Sequence, residues 1–257
     1  LESNVASNST VSIPTSVLQR PKQKVPGKTG KIEVYLDLLE LVAGLGMALF
    51  VWMHLLFVSS ILLGPQIFDA LSVFLDKYYL APIGIPITVL IFYVHAICAA
   101  RKIPNKYSEF RITWNHAKML GHTDTWIWVF QVITGIILFA FVSVHLWVIV
   151  SDYFVRFFQT GVGFYAVISA ARVQGAIVEG MKGIGPSFLW FYAILIIICE
   201  YHVGFGLYRQ FAKWGWVNYH TAGYVLKTIS VLMVILAFIT LGTLKTMALI
   251  PTNILIH

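Results

Sequence analysis

The sequence predicts an all-α membrane protein with five spanning helices, and three observations predict it. Only 11% of the 257 residues are charged and 58% are hydrophobic, against roughly 25% charged in soluble domains. Five apolar runs each approach or exceed the about 20 residues that a spanning helix needs. The charges gather between these runs rather than along one face. A net charge of +7 distributed in this way fits a membrane topology and excludes a nucleic-acid surface.

The chain divides into a polar tail (1–31), a five-helix transmembrane region (32–250) and a short C-terminal tail (251–257). The first tail is rich in Ser, Pro and Lys and lacks an early apolar region, so no cleavable signal is expected. Span I covers 34–63, with Glu33, Asp37 and Glu40 at its beginning, and Gly64-Pro65 breaks it. A short connection carries Asp69, Asp76 and Lys77. Span II covers 83–100, with Pro86 tolerable in its first turn, where backbone nitrogens lack partners anyway. A charged loop, 101–125, contains His116 and His122; as loop histidines these read as solvated, as do His220 and His257. Span III covers 126–150 between Asp124 and Asp152. In the long connection 151–186, the stretch 164–178 is expected to lie at the interface, because Arg172 and Gln174 interrupt it. Span IV covers 187–211, and span V, 224–247, has no histidine and reads as a packing helix.

Lysine and arginine counts orient the chain. The N-terminal tail, the 101–125 loop and the 209–227 connection together hold thirteen, and the opposite side holds five. The N-terminus is therefore expected in the cytoplasm. Cys98 and Cys199 both lie inside apolar runs and read as small packing residues. The absence of Cys-x-x-Cys-His excludes covalent c-type haem, and no thiolate cluster exists for zinc or iron–sulfur.

Four spans each carry one deep histidine: His54, His95, His145 and His202. Ionisable residues in a membrane are rare and usually functional. His95 lies six residues from Arg101 and His202 seven from Arg209, both roughly 10 Å in from the cytoplasmic end at ~1.5 Å per residue. His54 and His145 lie twenty and nineteen residues beyond the starts of their spans, in the outer half. Two pairs at two depths suit the axial positions of two haems, and filling both positions leaves a haem that carries electrons. Around their histidines, spans I and III share a pattern: Gly44 and Gly135 stand ten residues before, Phe50-Val51 and Phe141-Val142 four and three before. A glycine ten residues away returns to about the same helix face, where it could give a flat macrocycle room. Arg101, Lys102, Arg209 and Lys213 lie one to three turns past the inner histidines and could meet haem propionates. Glu200, two residues from His202, points to a different face and suits a proton carrier. The competing readings are a proton-coupled transporter with a histidine relay, and a haem-free anchor that would leave the matched depths unexplained.

At the level of motifs, the chain resembles the dihaem cytochrome b anchor of menaquinol:fumarate reductases, in the succinate dehydrogenase/fumarate reductase superfamily. The matching segments are GLGMALFVWMHLLFVSSILLG (44–64), VHAICAARK (94–102), GHTDTWIWVFQVITGIILFAFVSVH (121–145) and EYHVGFGLYRQFAKWGW (200–216). The resemblance implies two b haems, a distal one on His54 and His145 and a proximal one on His95 and His202. It implies a bacterial inner-membrane protein that docks flavoprotein (FAD) and iron–sulfur subunits on its cytoplasmic side, with a dimer of the whole complex as a candidate assembly. Lys102, His116, Trp128, Arg172 and Lys213 would lie near propionates, and Glu200 on a transmembrane proton path. Menaquinol would bind near the outer ends of spans I and II, where Asp76 stands in place of the family's usual Glu as proton acceptor. Glu40 stands where the family pattern has glutamine. The same complex running as a succinate:menaquinone reductase is the alternative direction.

Overall fold

The computed structural model describes residues 29–104, 106–121, 123–160, 169–170, 173, 188–216 and 219–246. Hydrocarbon offers backbone N–H and C=O groups no partners, so a spanning chain must satisfy them internally, and helices do this. Five of the helices are long and apolar enough to cross a membrane: Gly30–Leu63, Leu80–Ala100, Thr123–Ser151, Leu189–Trp214 and Gly223–Thr246. The full helices are α1 (Thr29–Ser59), α2 (Pro65–Lys77), α3 (Leu80–Ala100), α4 (Tyr107–Leu120), α5 (Thr123–Thr160), α6 (Leu189–Trp214) and α7 (Tyr219–Thr246), with a 3₁₀ turn at Ser60–Leu63 closing α1. Among the described residues the protein is all helical, as its composition predicts.

Four features depart from the predicted spans. The Gly64-Pro65 break is also a start: Gly64 takes φ 125°, open to glycine, and Pro65 occupies the first turn of α2. The charged loop after span II folds into α4, which ends where Gly121 turns left-handed at φ 59°. Span III continues as helix to Thr160, ten residues past the expected end. Span II also begins three residues early, at Leu80, which moves Pro86 from the first turn into the helix interior.

The α1 helix packs along α3 and touches α6 and α7, while α6 packs against both α5 and α7. The N-termini of α1, α5 and α7 and the C-termini of α3 and α6 share one end of the bundle. Ion pairs link Asp37 of α1 to Arg101 and to Lys213, and Asp124 of α5 shares a pocket with Arg209 and Lys213 of α6. At the other end, Thr240 of α7 donates to the Ser59 hydroxyl at 2.9 Å, with both side chains buried. Here Phe68 of α2 packs with Ile61, Ala170 and Leu244. Large apolar side chains such as Leu49, Leu90, Trp147 and Ile239 are exposed along the helices, as lipid-facing surfaces require.

Candidate functional site

The outer histidines meet as predicted from their depths. His54 of α1 and His145 of α5 have ring centroids 6.2 Å apart, with 61° between the planes. An imidazole bonded to a metal at about 2.0 Å places its ring centre roughly 3 Å from that metal, so two rings across one iron have centres about 6 Å apart. The outer pair therefore has the spacing of two axial ligands. Phe50, one turn before His54, stacks on its ring at 5.4 Å and 12°. His145 is held by Tyr192 of α6, whose hydroxyl lies 3.2 Å from Nδ1. Tyr192 in turn packs against the cluster around Phe68 and Ile61.

Both inner rings have a hydrogen-bond partner at Nδ1. His95 of α3 donates from Nδ1 to the backbone carbonyl of Glu40 on α1, at 3.3 Å. A carbonyl only accepts, so Nδ1 carries the proton and Nε2 keeps its lone pair. His202 of α6 places Nδ1 3.0 Å from the Thr134 hydroxyl of α5. That hydroxyl donates its own proton to the Phe130 carbonyl at 2.7 Å, so at His202 it accepts, and again Nε2 is left free. A ring nitrogen anchored in this way is how proteins fix a metal-bound imidazole.

The two glycines stand elsewhere than expected. A Cβ on Gly44 would lie 3.1 Å from Cε1 of His95, and one on Gly135 would lie 3.2 Å from Cε1 of His202. Each glycine thus serves the inner pair and not the histidine on its own helix. The reason is axial: ten residues at ~1.5 Å each lie about 15 Å along the helix, which is the other depth. Gly44 lets the His95 ring approach the α1 backbone closely enough to reach the Glu40 carbonyl. On the other side Gln131 donates from Nε2 to the His202 carbonyl at 2.9 Å, across Gly206, where a Cβ would come within 3.0 Å of that nitrogen.

At the shared charged end, three acids of α1 meet three cations. Arg101 bonds Glu33 and, at 2.6 Å, Asp37. Lys102 reaches Asp37 at 3.0 Å and Glu40 at 2.6 Å, and Lys213 reaches Asp37 at 2.6 Å. Burial alone would lower the Arg101 pKa, but its hydrogen bond to Asp37 and the charges of Glu33, Asp37 and Glu40 outweigh this and raise it. With a raised pKa, Arg101 contributes stability below the ordinary guanidinium range and loses it only as pH climbs past its folded value, so the contact persists at physiological pH.

The remaining predicted residues are spread around these pairs. Glu200 is buried at 3% exposure and accepts from Trp52 Nε1 of α1 at 3.4 Å, on the side of α6 away from the Thr134 contact of His202. Asp76 sits half-buried in the last turn of α2. His116 lies exposed on α4, and Trp128 is half-buried near the start of α5. Arg172 and His122 lie outside the described residues. Sequence reading did not single out Thr134, Gln131, Tyr192 or Trp52. The signal was present for two of them: Gln131, Thr134 and Gly135 stand at i, i+3 and i+4, one polar and small face in an apolar run.

Fold and site together define a helical membrane protein with four deep histidines, of which His54 and His145 are in ring contact. Among the described residues no group of three or more His, Cys, Asp or Glu could hold a metal ion. No family model matches the chain. Among curated proteins it is similar to the fumarate reductase cytochrome b subunit of a strain of Helicobacter pylori, 28% identical over 226 residues, 84% of this chain and 82% of that one. It is likewise similar to the fumarate reductase cytochrome b subunit of Wolinella succinogenes, 27% identical over 239 residues, 87% of this chain and 84% of that one. These similarities support the resemblance that its motifs carry.

Proposed function

We propose that the chain is the haem-bearing membrane subunit of a bacterial inner-membrane fumarate reductase complex, with menaquinol as its electron donor. The 6.2 Å spacing of His54 and His145, in a homologue of subunits named cytochrome b, carries this reading. His54 and His145 would hold the outer b haem and His95 and His202 the inner one; when bound, the two groups supply a one-electron relay across the membrane. The Glu40 carbonyl and the Thr134 hydroxyl keep the inner imidazoles in the tautomer that presents Nε2. Lys102 and Lys213, now paired with α1 carboxylates, would provide counter-charge for the inner propionates, with His116, Trp128 and Arg172 in the same region.

Quinol oxidation releases protons as well as electrons. Asp76, in the last turn of α2, would accept one. Glu200 would return protons inward. Flavoprotein and iron–sulfur subunits would dock at the charged end, on the cytoplasmic side, where fumarate is reduced by the flavoprotein and not by this chain. In the purified complex, menaquinol-driven fumarate reduction is expected, with at least a tenfold loss in Asp76→Asn. A full-rate Asp76→Asn complex would remove Asp76 from the mechanism, and a complex unable to use quinol would contradict the function.

A further inference from the structure

We propose that Asp37 is a positioning residue for the inner histidine pair, a single carboxylate that ties together the ends of both helices carrying that pair. Glu33, Asp37 and Glu40 stand at i, i+4 and i+7 on one face of α1. Within this stripe Asp37 is the bridge. Its Oδ1 accepts from Arg101 Nη2 at 2.6 Å and lies 3.0 Å from Lys102 Nζ, both immediately past α3. Its Oδ2 accepts from Lys213 Nζ at 2.6 Å, in the last turn of α6. His95 lies six residues up α3 from Arg101, and His202 eleven residues up α6 from Lys213. Both ligand helices are thus pinned to α1 through opposite oxygens of one side chain.

The Asp37 and Glu40 carboxylates and Arg101 are largely shielded, whereas Lys213 is 46% exposed. The side chains of Asp37 and Arg101 are only 26% and 23% exposed, and Glu40, which takes Lys102, is 9% exposed. Such pairs are screened less than solvent-exposed ones. The turn that carries Glu40 also supplies the carbonyl that orients His95, so the charge cluster and the ring anchor move as one body. The cluster also sets a local field: three carboxylates against three cations are neutral together, and losing one carboxylate leaves net positive charge beneath the inner pair. Positive charge favours an added electron nearby. The outer pair is insulated by distance, since His54 lies seventeen residues further along α1, about 25 Å away.

This inference rests on the haem reading, and redox titration of the purified complex, following the two haems separately by absorbance, tests both. In Asp37→Asn the inner haem's midpoint potential is expected to rise, or the inner haem alone to be lost, while the outer haem keeps its wild-type potential. Asp37→Glu should restore the wild-type inner value. Glu33→Gln removes the same charge from an exposed site (59%) with one ion-pair partner among the described residues and should shift the inner haem less. Two haems with unchanged potentials in Asp37→Asn would overturn the inference alone. Equal shifts from Glu33→Gln and Asp37→Asn, or loss of both haems together in Asp37→Asn, would also overturn it. A wild-type chain without reducible haem would instead defeat the haem reading.

Discussion

A methyl group at position 44 would stand 3.1 Å from Cε1 of His95 and one at position 135 would stand 3.2 Å from Cε1 of His202, distances at which a ring must move. The neighbouring Gly46 is different, because a Cβ there would meet only Ile91 at 3.7 Å, an ordinary contact. Gly44→Ala and Gly135→Ala should therefore each cost about 1–3 kcal/mol of overpacking and lower inner-haem content, with Gly46→Ala unaffected; haem per chain by absorbance after extraction checks this. Thr134 offers a finer test. Thr134→Val keeps the shape and removes the acceptor for His202 Nδ1, and loss of such an outer partner typically weakens metal binding about 10–100-fold. Haem retention on dilution should fall in Thr134→Val and recover in Thr134→Ser. The four histidines were legible in the sequence because each is the costly residue in its run. Their holders were less legible, since a backbone carbonyl has no letter and a threonine is ordinary in a membrane helix.

At the scale of elements, the spanning helices were readable from length and hydropathy, whereas α2 and α4 were hidden in connections. Each is short and mixed in polarity, so neither reaches a spanning signal, and the Gly64-Pro65 pair reads equally as an end or a beginning. The α2 helix is seated by Phe68, fully buried and tilted against Phe57 with centroids 4.8 Å apart, while the buried Ser72 turns its hydroxyl back onto the Phe68 carbonyl of the same helix at 3.1 Å. Phe68→Ala should cost about 3–5 kcal/mol, read as a lowered thermal midpoint in detergent. Because α2 carries Asp76, quinol oxidation should fall with it, while both haems remain bound. The matched glycines of α1 and α5 belong to this scale too: the repeated spacing was visible, but its partner was not, because ten residues along a helix move a glycine about 15 Å, to the depth of the other histidine pair.

For the whole molecule, the two ends differ in chemistry. One gathers Glu33, Asp37 and Glu40 with Arg101, Lys102 and Lys213, and the other closes through Ser59, Thr240 and the Phe68 cluster. With thirteen lysines and arginines assigned to the first side and five to the second, the N-terminus should be cytoplasmic and the C-terminus external. Reporter fusions should be active in the cytoplasm when placed in the 101–125 loop and outside when placed at the C-terminus. Haem content of the purified chain and of its single-histidine variants measures whether four histidines hold two haems at two depths. Two reducible b-type haems per chain are expected, with His54→Ala and His202→Ala each retaining one, of different potential. One haem or none in the wild-type chain, or the same haem lost in both variants, would contradict the account.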